Sequence, residues 1–189
     1  MEQVIMNSLS FPVLSTLIFL PVAGAALLLL MPRSQETLIK WAALAITIMD
    51  FCLSIPLFTN FDKTTPLMQF TERHAWIPAW NINYSLGLDG ISILFVLLST
   101  LVTILCVLIS WNSIKTKVKE FYISLLIIEG AMIGVFCALD FFLFYIFWEA
   151  MLIPMYILIG VWAAGGGSMP PSSSSSIPLS AASSCSSAL

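Results

Sequence analysis

Phe121-Tyr-Ile-Ser-Leu-Leu-Ile-Ile-Glu-Gly-Ala-Met-Ile-Gly-Val-Phe-Cys-Ala-Leu-Asp-Phe-Phe-Leu-Phe-Tyr-Ile-Phe-Trp-Glu-Ala-Met-Leu-Ile-Pro-Met-Tyr-Ile-Leu-Ile-Gly-Val-Trp162 is the stretch that decides the fold. Its only charged residues are Glu129, Asp140 and Glu149. An apolar run of about 40 residues is too long for a hydrocarbon layer that a helix of ~20 residues already crosses. The chain must turn inside it, and Asp140 marks the place. Two membrane helices are therefore expected, at about 121–139 and 141–162.

Upstream, three more spans meet the same length criterion, at about 11–31 (closed by Pro32), 38–58 and 88–111. The expected fold class is an all-α integral membrane protein with five transmembrane helices. Composition agrees: the chain is 59% hydrophobic and 9% charged, with mean hydropathy +1.00. Soluble domains carry about 25% charged residues. Seven Lys and Arg in all leave no footprint for nucleic acid. The first apolar run has no basic region before it and no small-residue cleavage site, so it reads as a retained span. Cys52, Cys106 and Cys137 fall in apolar spans, where cysteine behaves as a small hydrophobe, and Cys185 lies in the tail. No CxxC or Cys/His spacing suggests a metal, and His74, the only histidine, stands in a loop.

Basic residues give an orientation. Arg33, Lys40, Lys115, Lys117 and Lys119 lie on one side, Lys63 and Arg73 on the other. Five against two puts the first set in the cytoplasm and the N-terminus outside. The long connection 59–87 then lies externally. It carries Trp76, Trp80 and Tyr84 with Pro66 and Pro78. Its segment Asn81-Ile-Asn-Tyr-Ser-Leu86 alternates polar and apolar, which suits one strand of a short surface hairpin. Its aromatics read as interface anchors rather than a ligand site.

The tail 165–189 changes character, from Gly165-Gly-Gly167 into Ser168-Met-Pro-Pro-Ser-Ser-Ser-Ser-Ser176. As written it lacks the apolar content for a core and is expected to be disordered. A serine codon of the TCN type, read one base earlier, encodes Phe, Leu, Ile or Val. A serine run is thus what a frameshift makes of a hydrophobic helix. Residues after about Ala164 are expected to be frameshifted sequence, and the chain truncated.

The candidate chemistry is carboxylate chemistry. Glu149 lies nine residues beyond Asp140, or roughly 13 Å along a helix at ~1.5 Å per residue. That is near mid-bilayer, where a charged carboxylate costs at least ~2.5–3.5 kcal/mol. Proton or ion traffic is the usual reason to keep one; the plainer alternative is a permanently protonated acid bonded to a neighbouring helix. Pro154, five residues on, removes a backbone bond and can distort the helix beside it, or simply mark a packing kink. Glu129 lies at a similar depth in the preceding span. Two carboxyls at close range do not both ionise cheaply, so such a pair would hold a proton. Asp89 and Asp140 stand at span ends, where helix capping is the default. Asp50 lies inside the second span with no partner evident in sequence. There is no haem or iron–sulfur ligand set, no Gly-rich nucleotide fingerprint and no Ser/His/Asp arrangement, so any redox role belongs to a partner.

Tyr84-Ser-Leu-Gly-Leu-Asp-Gly-Ile-Ser92, Gly134-Val-Phe-Cys-Ala-Leu-Asp140 and Phe147-Trp-Glu-Ala-Met-Leu-Ile-Pro-Met-Tyr156 together resemble subunit M (chain 4) of proton-pumping NADH:quinone oxidoreductase, respiratory complex I. The resemblance covers about residues 10–164, and the last motif is the specific one. It implies the N-terminal part of a fourteen-helix antiporter-like fold built on inverted repeats. It also implies an essential proton-channel role for Glu149, with Glu129 as a possible assistant. A lysine on a later broken helix would favour the charged form of Glu149, and its departure the neutral form. No such lysine follows here, so unaided pumping is not expected. NADH, FMN, iron–sulfur clusters and quinone would belong to partner subunits, with none in this chain. Other membrane subunits and the lipid bilayer are the implied partners, and a bacterial plasma membrane the implied location. The runners-up are a subunit of a multi-subunit cation/proton antiporter and a non-functional remnant.

Overall fold

A computed structural model of the chain describes residues 12–62, 64, 67–77 and 82–163. The elements are α1 (Val13–Leu30), α2 (Glu36–Thr59), β1 (Gln69–Ile77), β2 (Ile82–Leu88), α3 (Ser92–Ser113), α4 (Val118–Cys137) and α5 (Phe141–Leu158). A π-helical turn, Ile159–Ala163, continues α5. Among the described residues five helices are long and apolar enough to cross a membrane. The tail 165–189 and its expected frameshift lie outside the described residues, as do Lys63, Pro66, Pro78, Trp80 and Asn81.

The two strands form an antiparallel hairpin running from the Gln69–Leu88 pair to the Ile77–Ile82 pair, with register shifts between Gln69 and Glu72 and between Ala75 and Ile77. The hairpin docks on the bundle: Leu139 N donates to Ser85 O at 2.9 Å, and Leu86 bridges to Ala138. Leu86 and Leu88, drawn into buried strand positions, are unavailable to the third helix. That helix therefore starts at Ser92 rather than at 88. The fourth helix likewise begins at Val118 and stops at Cys137, because Ala138 and Leu139 extend to meet β2.

α4 is the centre of the bundle and packs against α1, α2, α3 and α5. Lipid chains are as apolar as leucine, so membrane helices associate through close packing, for which small residues are used. Gly130 meets that need. A Cβ there would stand 2.7 Å from the backbone oxygen of Ile18, so α1 and α4 cross in near-backbone contact. Gly134 does the same for α5, where the Phe147 ring would lie 2.6 Å from an added Cβ.

The buried apolar side chains form two clusters. One, at the hairpin end, gathers Leu14, Leu17, Leu57, Leu86, Leu88, Val96 and Ile133. The other, at the opposite end, gathers Leu28, Ile39, Leu44, Val107, Tyr122 and Leu126. Between them, in chain order on α2, α3 and α4, come the buried polar residues Thr47, Asp50, Ser54, Thr100, Thr103 and Glu129. Lysines close the helix ends beyond the second cluster. Lys119 Nζ donates to Leu29 O and Met31 O, and Lys40 Nζ to Trp111 O, at 2.7–2.8 Å. Cations at helix C-termini complement both the orphan carbonyls and the helix dipole.

Candidate functional site

The turn between α4 and α5 is built by Asp140. Its Oδ1 accepts from Phe142 N at 2.9 Å and caps α5, while Oδ2 accepts from Asn83 N of β2 at 3.4 Å. Asp89 caps the start of α3 in the same way, accepting from Ser92 N at 2.6 Å. The Ser92 N–H bond holds the Asp89 carboxyl below its usual value. Both aspartates at span ends are helix caps.

From Asp140, α5 runs outward along α4 with one side bare. Glu149 is exposed, together with Tyr145, Leu152 and Tyr156, which stand four residues before it and three and seven after. These spacings place all four on one face. Tyr145 lies within hydrogen-bonding reach of Glu149. Pro154 is buried within α5, where it frees the carbonyl of Ala150 from its helical bond. The α-helix ends four residues later, at Leu158, and gives way to the π turn.

Glu129 takes the opposite course. It is 1% exposed, beside Gly130 at the crossing with α1. The carboxyl that acts on it electrostatically is Asp50 of α2, itself fully buried. None of the four carboxyl oxygens of this pair has a hydrogen-bond partner among the described residues. Glu129 is thus buried in the same polar layer as Asp50, whereas Glu149 is exposed on α5.

One acidic residue with a clear structural task escaped the sequence reading. Glu72 of β1 reaches the start of α1, where Pro12 offers no side-chain cap. Its Oε1 accepts from Leu14 N at 2.8 Å and its Oε2 from Ser15 N at 3.2 Å. Ser15 Oγ also donates to Oε2 and contacts Tyr84 Oη at 2.9 Å. A carboxylate at the positive end of a helix satisfies orphan N–H groups and the dipole together. Burial holds the Tyr84 phenol above its ordinary value, so it stays protonated in this network. The missing cap at Pro12 was the one available signal. Outside this network, Arg73, His74, Asn83, Ser85 and Asp140 help line an open groove of about 360 Å³. Among the described residues no three His, Cys, Asp or Glu side chains converge to hold a metal.

No protein-family model matches the chain. Individual relatives do. It is 45% identical over 151 residues to NADH-ubiquinone oxidoreductase chain 4 of Arabidopsis thaliana, covering 80% of this chain and 30% of the relative. It is 46% identical over 153 residues to NADH-quinone oxidoreductase subunit M of Rhodobacter capsulatus, covering 79% and 29%. Among solved structures, a chain of respiratory complex I from Thermus thermophilus with bound NADH matches with a TM-score of 0.64 at 28% identity, over 79% of this chain and 29% of that one. A chain of the Mrp complex from a Dietzia species shares the fold, with a TM-score of 0.64 at 17% identity, over 79% and 16%. Over the stretch that these alignments cover, the chain is similar to chain 4 and subunit M of NADH:quinone oxidoreductases, and it spans about three tenths of the length of the curated relatives it matches.

Proposed function

We propose that this chain supplies part of a proton-translocation channel in the membrane arm of an NADH:quinone oxidoreductase. The observation that carries the reading is the position of Glu149: mid-span on α5, on a face that nothing in the bundle covers. A carboxylate so placed costs ~2.5–3.5 kcal/mol against lipid, so the face is suited to meet further protein or water. In the assembled complex Glu149 takes up and releases a proton as a neighbouring positive charge leaves and returns. Tyr145 lies within reach to hydrogen-bond it, and the backbone carbonyl freed by Pro154 gives water a foothold nearby. Electron transfer from NADH to quinone takes place in partner subunits, which hold the FMN and iron–sulfur clusters. Glu129 lies away from this path and is treated separately below.

The basic residues favour a topology with Arg33, Lys40, Lys115, Lys117 and Lys119 in the cytoplasm and the N-terminus outside, in a bacterial plasma membrane. A cation/proton antiporter subunit is the second reading, supported by the fold shared with the Mrp chain. The sequence identities of 45–46% favour the oxidoreductase.

The test uses an intact homologous complex in which the residue aligned with Glu149 is replaced by Gln. NADH-driven proton uptake into vesicles is expected to fall severalfold. Undiminished pumping would sink the assignment. Exchange of sodium for protons without NADH would favour the antiporter.

A further inference from the structure

We propose that Asp50 and Glu129 form an occluded proton-binding site inside the α1–α4 bundle, independent of whatever Glu149 does. Three observations converge on it. The first is burial without partners: Asp50 is 0% and Glu129 1% exposed, and none of their four oxygens is hydrogen-bonded among the described residues.

The second is the chemistry of the surrounding layer, which offers acceptors and withholds donors. Thr47 Oγ1 donates to Leu44 O, Ser54 Oγ to Phe51 O, Thr100 Oγ1 to Leu97 O and Thr103 Oγ1 to Ser99 O. Each hydroxyl has one proton, and each has an acceptor on its own helix, with Ser54 Oγ and Thr100 Oγ1 also 3.4 Å apart and either able to donate. Pro21 of α1 and Pro56 of α2 have no N–H to bond the carbonyls of Leu17 and Cys52. An ionised carboxylate accepts only and finds nothing to receive from, whereas a protonated carboxyl is a donor that this layer can satisfy. A proton is the occupant that makes the layer consistent.

The third is enclosure. Apolar clusters close the layer at both ends. Among the described residues, the helices packed around the pair bring no basic side chain to the middle of the bundle. α1 has no titratable residue, and α3 adds Cys106 alone. The remaining groups of α2 are Glu36 and Lys40, near its start, and exposed Cys52. On α4 they are Lys119, Glu120 and buried Tyr122 toward its start, with Cys137 at its end. The Tyr122 hydroxyl also lacks a partner and does not bond Glu129. β2 adds Tyr84, bonded to Ser15, and α5 adds Glu149, Tyr145 and Tyr156 on its bare face. Two carboxyls within electrostatic range of one another bind protons as a unit.

Infrared spectroscopy of the full chain in lipid nanodiscs tests the site directly. At neutral pH a protonated-carboxyl C=O band is expected, with slow exchange in D2O because the layer is closed. It should vanish in the double variant Asp50→Asn, Glu129→Gln and persist in Glu149→Gln. Each single variant should shift or weaken it, since each acid feels the other. Asn and Gln match the shapes and bring N–H donors, and circular dichroism checks that the variants remain helical. Side-chain 13C labelling of Asp in one sample and Glu in another repeats the assignment without mutation. Absence of the band in the wild type, its survival in the double variant, or its loss on adding sodium but not potassium would each overturn the proposal, the last in favour of a metal-cation site.

Discussion

α4 and α5 are consecutive, of similar length, similarly apolar, and each carries one glutamate near its middle. Within the bundle they fare differently: 56% of the spanning window of α4 is buried, against 11% for α5. Contact on several sides makes α4 the hub, with Gly130 admitting the backbone of α1 and Gly134 the ring of Phe147. α5 leans on α4 through one side and leaves the rest open. The same residue type therefore meets two environments. Glu129 is buried in the same polar layer as Asp50, while Glu149 is presented outward. In a membrane the role of an acid follows from which face of its helix is covered.

The contrast can be broken most sharply at Glu149. Glu149→Leu should make the isolated chain insert and pack better by about 3 kcal/mol, because an open carboxyl is traded for lipid-compatible surface. Unfolding in mixed micelles would show the gain, and a loss would mean that the α5 face is already covered. Gly130→Leu should act in the opposite direction. The added atoms meet the backbone of Ile18 at under 3 Å, and backbone cannot rotate aside. A loss of about 2–3 kcal/mol is expected. Gly160→Leu, with nothing within 4 Å of an added Cβ, should change stability by less than about 0.5 kcal/mol.

Glu72→Ala comes next. It strips the side-chain cap from the N-terminus of α1 and should cost about 1–2 kcal/mol, whereas Glu72→Gln should recover part of that. Amide exchange at Leu14 and Ser15 is the local readout. The smallest effect concerns Asp89, whose carboxyl titrates below its ordinary value when folded. A depressed carboxylate contributes stability that is fully present above the unfolded value of about 3.9 and lost as pH falls through the folded one. Acid unfolding of Asp89→Asn should therefore be less steep than that of the wild type in the window below about pH 4.

How much of this was legible depends on whether the signal was local. The run 121–162 had to cross twice, and a turn at Asp140 followed from length alone. The caps at Asp89 and Asp140 were legible for the same reason, since a cap acts within three residues. The hairpin was half legible. β2 alternates, but β1 runs Gln-Phe-Thr-Glu-Arg-His-Ala-Trp-Ile and hides its pattern behind charges that serve other purposes. Helix faces were not legible. α4 and α5 are apolar all round, so no stripe says which side of Glu129 or Glu149 meets protein. Asp50 could be seen as anomalous, but the second acid of its layer lies on α4, 79 positions later (129 minus 50) in the chain. Glu72 is the extreme case, a helix cap borrowed from 58 residues downstream.

That borrowed cap has a consequence in time. A chain made from its N-terminus presents α1 to the membrane long before residue 72 exists. Until the hairpin has been synthesised and has folded back, the first turn of α1 has bare N–H groups at one end. At its other end Leu29 and Met31 still await Lys119. α1 is therefore the first helix to be made and among the last to be finished. Its two ends are closed in sequence by segments emerging later, so its completion reports that the hairpin and then α4 have taken their places.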